Sequence, residues 1–436
     1  MKKHEFEEFN LKPGLERVVA ELGFKHPTPI QQQVIPAALR SESIIGQSQT
    51  GSGKTHAFLL PLFNQLNPNK KGVQFVVTTP TRELASQIFD QVKKILALTD
   101  QEDQVQAKLF IGGTDKKRTI EKLTEQPAII VATPGRLLDL INEGAVNIYT
   151  ASSFVVDEAD LMLDLGLINE IDQMLVKADP KVQILVFSAT IPKRLQPFLR
   201  KYMDNPTFIE IKDHVSANLL ENRLIPLRHR KPADVIYQIA ETIHPYLAII
   251  FTNGKEACNE LYAELSKRGL NVGILHGGLT ARERKRVLKD IQALKYQYIV
   301  ATDLAARGID IEGVSHVINA QLPKEVEFFV HRIGRTARAG MEGTAIHLYG
   351  DQDHQLLGKL TAEGFEFANF EIVKGEWREA KAWNMRKERG KQVDDLDQEA
   401  WKRVKRPAKV KPGYKTKMRQ EQQRIKRKLK QEQRRK

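Results

Sequence analysis

Gly51-Ser52-Gly53-Lys54-Thr55 follows the apolar pair Ile44-Ile45 and precedes a helix-forming stretch, Ala57–Leu66. Glycines let a backbone wrap phosphates, and a helix N-terminus behind them directs N–H groups at the same anion. A lysine in that loop reaches β- and γ-phosphates, and the threonine hydroxyl takes Mg²⁺. Ser48, Gln49, Thr50, Gly51, Ser52, Gly53, Lys54 and Thr55 are therefore candidate ATP-binding residues, with Ser48 where the usual pattern has glycine. A bare Gly/Ser turn capping a helix would look similar. The second chemical signal is Phe154-Val155-Val156, an apolar run that ends at Asp157-Glu158. A carboxylate at the carboxyl end of a buried strand sits where open α/β sheets place ligands. Asp157, with Thr55, is the candidate for Mg²⁺, and Glu158 for orienting or deprotonating a water.

These residues need a sheet to position them. Short apolar runs at Ser43–Gly46, Val73–Thr79, Ala128–Ala132, Phe154–Asp157 and Ile184–Ser188 alternate with helical patterns such as Arg82–Leu96 and Gly135–Ile141. Several runs are continuous rather than alternating, as parallel strands buried on both faces require. After Phe208–Ile211 comes a polar segment, and the alternation restarts at Leu247–Thr252, Val272–Leu275, Tyr298–Ala301, His316–Ile318 and Thr344–Leu348. The expected fold is α/β, two tandem parallel-sheet domains: 1–211, a linker at 212–222, and 223–373, closed by Phe365–Ile372. Residues 374–436 form a basic tail, expected to be disordered.

Composition narrows the partners. The chain has 436 residues and a net charge of +14, yet Trp401–Lys436 alone holds 17 basic and two acidic side chains. The body is neutral, and the tail is suited to a polyanion. A single cysteine, Cys258, excludes an internal disulfide and a cysteine-cluster zinc site. There is no apolar run of about 18 residues, and the first residues lead into acidic positions rather than an apolar core. The expectation is a cytoplasmic protein without membrane contact.

Asp157-Glu158-Ala159-Asp160 resembles the signature of DEAD-box RNA helicases, and other motifs of that family occur in order. Gly23-Phe24 with Pro27-Thr28-Pro29-Ile30-Gln31 resembles its Q motif, with Phe9 as the upstream aromatic. The resemblance implies two RecA-like domains, Gln31 reading the adenine edge and Phe24 stacking on the ring. Pro80-Thr81-Arg82-Glu83-Leu84-Ala85, Gly112-Gly113 and Thr133-Pro134-Gly135-Arg136 resemble RNA-backbone motifs. They imply RNA contacts at Thr81, Arg82, Gly113, Thr133, Gly135 and Arg136. Taken singly, the threonine loops read as helix N-caps. Ser188-Ala189-Thr190 resembles the motif that couples the ATP site to RNA, with Asp160 as the partner of Ser188 and Thr190.

In the second half, Ile250-Phe251-Thr252-Asn253, Thr302-Asp303 through Asp310, and His331-Arg332-Ile333-Gly334-Arg335-Thr336-Ala337-Arg338 resemble the remaining motifs. They imply Thr302 at RNA, Asp310 at the ribose, and Arg335 and Arg338 as arginine fingers for the γ-phosphate. Ala281, Ala337 and Leu161 depart from the usual family residues, while Arg284 keeps the expected arginine. Length and tail resemble the B-type cold-shock helicases of Gram-positive bacteria. The function so implied is ATP-dependent remodelling of RNA single strands and short duplexes by closure of two domains. Roles in cold adaptation, ribosome assembly or RNA decay, with ribosomal particles or decay proteins as partners, go with that resemblance. Two other readings fit the same motifs: an ATP-gated RNA clamp that does not unwind, and a DNA-directed helicase.

Overall fold

The computed structural model describes residues 5–49, 51–113, 115–211, 220–306, 311, 313–336 and 342–384, with a few positions between 404 and 428. Two sheets organise the described residues. The first contains β1 (Ile44–Gln47), β2 (Phe75–Thr78), β3 (Ala107–Phe110), β4 (Ile129–Ala132), β5 (Ser153–Val156), β6 (Gln183–Ser188) and β7 (Thr207–Glu210). Their order is β3-β4-β2-β5-β6-β1-β7, and every pairing is parallel.

The second contains β8 (Leu220–Pro226), β9 (Ala248–Thr252), β10 (Val272–Leu275), β11 (Tyr298–Thr302), β12 (His316–Asn319), β13 (Gly343–Tyr349), β14 (Ala368–Val373) and β15 (Glu376–Glu379). It runs β10-β11-β9-β12-β13-β8-β14-β15, parallel except for the terminal β14–β15 hairpin. The expected α/β class with two parallel-sheet units is what the chain forms.

The continuous apolar runs have a simple cause. Successive strand residues point to opposite faces, so each face needs its own core. Ile129 and Val131 feed one core of the first sheet, and Ile130 and Ala132 the other. Ile249 and Phe251 divide from Ala248 and Ile250 in the same way across the second sheet. At about 25 cal/mol per Å² of buried apolar surface, such two-sided burial is the main force holding the loops at the strand ends in place.

Three strands lie outside the expected pattern. β3 is an edge strand, half-buried over three of its four residues, so its alternation is weak. β8 begins at Leu220, inside the stretch expected as linker, and its polar residues have specific partners instead of solvent. The Arg223 guanidinium lies 4.7 Å from the Trp377 ring centroid and 5.4 Å from that of Phe370. β15 extends the sheet beyond residue 373, where Trp377 Nε1 donates to Thr242 Oγ1 at 3.0 Å. Among the described residues no helix is long and apolar enough to cross a membrane.

Candidate active site

β5 and β1 flank β6, so the loops after Val156, Gln47 and Ser188 leave one sheet edge side by side. That edge gathers the phosphate-loop residues, the acidic tetrad and Ser188-Ala189-Thr190. β3, β4 and β2 adjoin one another at the far end of the same sheet. Their loops carry Gly112-Gly113, Thr133-Pro134-Gly135-Arg136 and Thr81-Arg82. Strand order alone therefore separates the ATP candidates from the RNA candidates along a common edge.

The phosphate loop is pre-shaped. Gly51 and Gly53 have φ of +83° and +95°, a region that favours glycine. The helix Lys54–Gln65 starts directly behind them. Ser48, in place of the usual glycine, bridges the loop through a 2.8 Å contact between its Oγ and Ser52 Oγ. Lys54 is buried; its Nζ donates to Ser48 O at 2.8 Å and lies 3.8 Å from Glu158 Oε1. Gln49 and Thr55 are half-buried beside them.

Gln31 is occupied at both ends of its amide. Its Oε1 accepts from Thr28 N at 2.9 Å, and its Nε2 donates to Gly53 O at 3.1 Å. A Cβ at Gly53 would meet both Thr28 and Gln31, so the glycine makes this approach possible. Phe24 packs parallel to Phe6, centroids 6.2 Å apart, and edge-on to His56 at 4.9 Å. Phe9 is buried in the core and reaches Phe6 rather than the loop. Phe6 and His56 are thus the neighbours of Phe24 that motif reading missed. The position of His56 beside Thr55 on the first helical turn was the available signal.

Asp157 and Glu158 are 3% and 4% exposed. Burial, reinforced by the Glu158 charge and only partly offset by Lys54, pushes the Asp157 carboxyl up to about 7. Glu158 has φ of +53°, a left-handed conformation uncommon for a non-glycine residue and often found where function holds it. Its Oε2 is buried without a hydrogen-bond partner among the described residues. Two enclosed carboxylates facing one ammonium leave negative charge that a divalent cation would balance. No group of three or more His, Cys, Asp or Glu among the described residues could hold a metal. That donor set fits Mg²⁺, which takes one or two carboxylates and completes its shell with phosphate and water.

Asp160 joins three elements. Its backbone N donates to Ser188 Oγ at 3.0 Å, and its Oδ2 accepts from Thr190 N and Thr190 Oγ1 at 3.1 and 3.0 Å. His331 Nε2, on the helix Val326–Ile333 of the second unit, lies 3.1 Å from the same oxygen. Sequence reading brought Asp160, Ser188 and Thr190 together but missed His331. A second bridge joins Arg284 Nε to Glu83 Oε1, on the helix Arg82–Leu98.

A cavity of about 820 Å³ opens between the two units, lined by Gly53, Lys54, Thr55, Asp157, Glu158 and, across it, Arg335. That volume lies in the range of small-molecule sites. The buried Arg335 is therefore placed at the same void as the phosphate loop. Thr50, Asp310 and Arg338 lie outside the described residues, as do residues 212–219 and most of 385–436.

The RNA candidates are half-buried or exposed along their edge. Thr81 Oγ1 accepts from Leu84 N at 3.2 Å, so this threonine does cap its helix. Thr133 occupies the same position before the helix Pro134–Asn142 without a side-chain cap bond. Gly112 and Gly113 form a seat for Arg82, because a Cβ on Gly113 would run into the guanidinium. Gly135 and Arg136 begin the helix after Thr133. Thr302 ends β11, and the adjoining Asp303 holds Arg332 through both carboxylate oxygens.

Comparisons with known proteins agree with this geometry. Residues 28–198 match the DEAD/DEAH box helicase family, and residues 231–340 the helicase conserved C-terminal domain. The chain is 49% identical over 429 residues to the DEAD-box ATP-dependent RNA helicase CshB of Bacillus subtilis (strain 168), covering 98% of each. It is 46% identical over 428 residues to the CshB of Listeria monocytogenes, again covering 98% of each. Among solved structures, S. cerevisiae Dbp5 bound to RNA and ADP BeF3 aligns with a TM-score of 0.74 and 29% identity. That alignment covers 84% of this chain and 95% of Dbp5. Mss116p bound to ssRNA and AMP-PNP aligns with a TM-score of 0.73 and 28% identity, covering 85% and 79%. The chain belongs to the DEAD-box family of ATP-dependent RNA helicases.

Proposed function

We propose that the chain uses ATP to grip single-stranded RNA and to open short duplexes locally, with hydrolysis resetting the grip. The observation that carries this reading is the shared cavity, with Lys54, Asp157 and Glu158 on one wall and Arg335 on the other. A half-site on each unit means that turnover depends on how the units meet.

In this reading Lys54 exchanges the Ser48 carbonyl for the β- and γ-phosphates, and the loop N–H groups cradle them. Phe24 and Gln31 take the adenine, with Gln31 releasing at least one of its present bonds. Thr55 and Asp157 would hold Mg²⁺, which would supply positive charge to offset that of the phosphates. Glu158 orients a water and receives its proton as the water oxygen bonds to the γ-phosphorus and the bond to ADP breaks. Arg335 meets the charge that grows on the γ-phosphoryl oxygens, a contribution typically worth about 10³–10⁵ in turnover. By resemblance, Arg338 is assigned to the phosphate and Asp310 to the ribose.

RNA binds along Thr81, Arg82, Gly113, Thr133, Gly135 and Arg136 on the first unit and Thr302 on the second. ATP and RNA each favour the same closed arrangement, so each raises affinity for the other. Bending one strand away from its complement over about five base pairs asks for several kcal/mol, at roughly 1.4 kcal/mol per stacked step. That scale suits short helices and not long-range travel. The basic tail adds sequence-independent affinity for RNA, and the neutral body with its one buried thiol suits the cytoplasm.

Strand displacement on a short RNA duplex tests the reading, with Glu158→Gln as the discriminating variant. Loss of displacement over many cycles, with ATP-dependent RNA binding kept, supports turnover-driven remodelling. Binding without any displacement by the parent chain supports a clamp instead.

A further inference from the structure

Arg332 is 1% exposed, and its guanidinium has more partners than any ordinary surface pair supplies. Nε and Nη2 hold the two oxygens of Asp303, Nη2 also donates to Asn253 Oδ1 at 2.7 Å, and Nη1 donates to Gln321 O at 2.6 Å. Its remaining bond runs from Nη1 to Asn319 Oδ1 at 2.8 Å. Asn253 follows Thr252 at the end of β9, and Asp303 follows Thr302 at the end of β11 as the first residue of the short helix Asp303–Ala306. Arg332 thus ties together the chain segments that leave β11 and β9.

Behind it is a chain of hydrogen bonds whose direction is forced. An arginine only donates, so Asn319 must present its oxygen to Arg332 and its amide nitrogen away. That nitrogen, Nδ2, meets His347 Nδ1 at 2.8 Å, and two donors cannot face each other. His347 Nδ1 must therefore accept, which leaves the proton on Nε2. His347 Nε2 lies 3.2 Å from Asn222 Oδ1, an acceptor that matches. Asn319 and His347 are both fully buried, and Phe329 packs on the imidazole with centroids 4.9 Å apart. Burial, with the Arg332 charge adding to it, pushes the imidazole down to about 3, so it stays neutral.

We infer that His347 is a positioning residue for the helicase reaction. Held as the neutral Nε2–H tautomer between Asn222 and Asn319, it orients Asn319 and through it Arg332, and so sets Asp303 and Asn253 where the chain leaves β11 and β9. The inference rests on the proposed function for what those segments do, but the hydrogen-bond direction stands on geometry alone. The relay starts on β8, the strand by which the chain enters the second sheet, and it crosses β13 and β12 to reach the helix Val326–Ile333. Order at the centre of the second sheet is thereby transmitted to the segments at its edge.

Two measurements test it on the full chain. The imidazole nitrogen signals of ¹⁵N-histidine protein, with His347 assigned by its absence from His347→Phe, should report an unprotonated Nδ1 and a protonated Nε2. A proton on Nδ1 would overturn the relay. In steady-state ATP hydrolysis, His347→Phe keeps the aromatic packing but loses both bonds. The RNA concentration for half-maximal turnover should rise by up to about tenfold, the upper end for one buried hydrogen bond between neutral groups. Turnover at saturating RNA should change much less. Asn222→Leu, which removes only the Nε2 partner, should show a smaller shift in the same direction and serves if the aromatic replacement does not fold. A lowered melting midpoint with unchanged RNA dependence in a folded variant would make His347 merely structural and overturn the inference. If the helicase reading itself were at fault, the parent would lack RNA-dependent turnover while the nitrogen signals remained as stated.

Discussion

His331 Nε2 and Asp160 Oδ2 lie 3.1 Å apart, although the two residues belong to different sheets. Both are buried, and the same Asp160 oxygen also receives Thr190 N and Oγ1. A carboxylate accepts and cannot donate, so His331 places its proton on Nε2. The last residue of the acidic tetrad is thus a point of contact between the two units. Asp157 and Glu158 face the cavity on the other side of the same short loop.

Replacing His331 by alanine should leave each unit folded and uncouple them. A buried hydrogen bond to a charged group contributes about 1.5–3 kcal/mol, which corresponds to roughly a 10- to 100-fold loss of RNA stimulation. Turnover without RNA should change far less. Titrating RNA against ATP hydrolysis reads both quantities in one experiment, and Asp160→Asn should mimic the effect.

Arg284 and Glu83 form the second bridge, with side chains 16% and 21% exposed. Either single substitution to alanine should weaken RNA binding in the presence of a non-hydrolysable ATP analogue. Contacting pairs usually couple by about 0.5–3 kcal/mol, so the double variant should be less impaired than the sum of the singles. Strict additivity would mean that the bridge does not form in the closed state.

At Gly113, alanine meets two obstacles, a φ of +83° and the Arg82 guanidinium. Strain of this kind costs on the order of 1–3 kcal/mol. Arg82 would be displaced from its seat, so Gly113→Ala should weaken RNA binding while ATP binding without RNA is little affected. Fluorescence anisotropy with labelled RNA checks the first part, and a labelled nucleotide the second.

His347 gives a pH prediction with a definite sign. Its folded value of about 3 lies below the ordinary 6.5, so between these the unfolded chain binds a proton that the folded chain does not. Stability from this group is complete above pH 6.5 and falls as pH drops through the window, at up to about 1.4 kcal/mol per pH unit. Urea midpoints of the parent and of His347→Phe should therefore converge as pH is lowered from 7.5 to 5. A constant difference between them would contradict a neutral, buried imidazole.

Much of this was legible in the sequence because the relevant signals were local. Continuous apolar runs marked strands that feed two cores, and the loop around Lys54 carried its own glycines. What stayed hidden was non-local. The start of β8 looked like linker because Glu221 and Asn222 are polar, and only the fold supplies His347 as the partner of Asn222. The His331–Asp160 contact joins residues 171 positions apart, a distance over which no periodicity speaks. Gln31 was expected at adenine, yet here both ends of its amide serve Thr28 and Gly53.

ATP turnover in the shared cavity should depend on RNA holding the two units together. The most direct test is steady-state ATP hydrolysis by the full chain, without nucleic acid, with single-stranded RNA, and with the 2′-deoxy strand of the same sequence. RNA should stimulate strongly and the deoxy strand little, because 2′-hydroxyl contacts distinguish the two strands, and Lys54→Ala should show no turnover. Hydrolysis indifferent to RNA, equal stimulation by the deoxy strand, or activity surviving in Lys54→Ala would contradict this expectation.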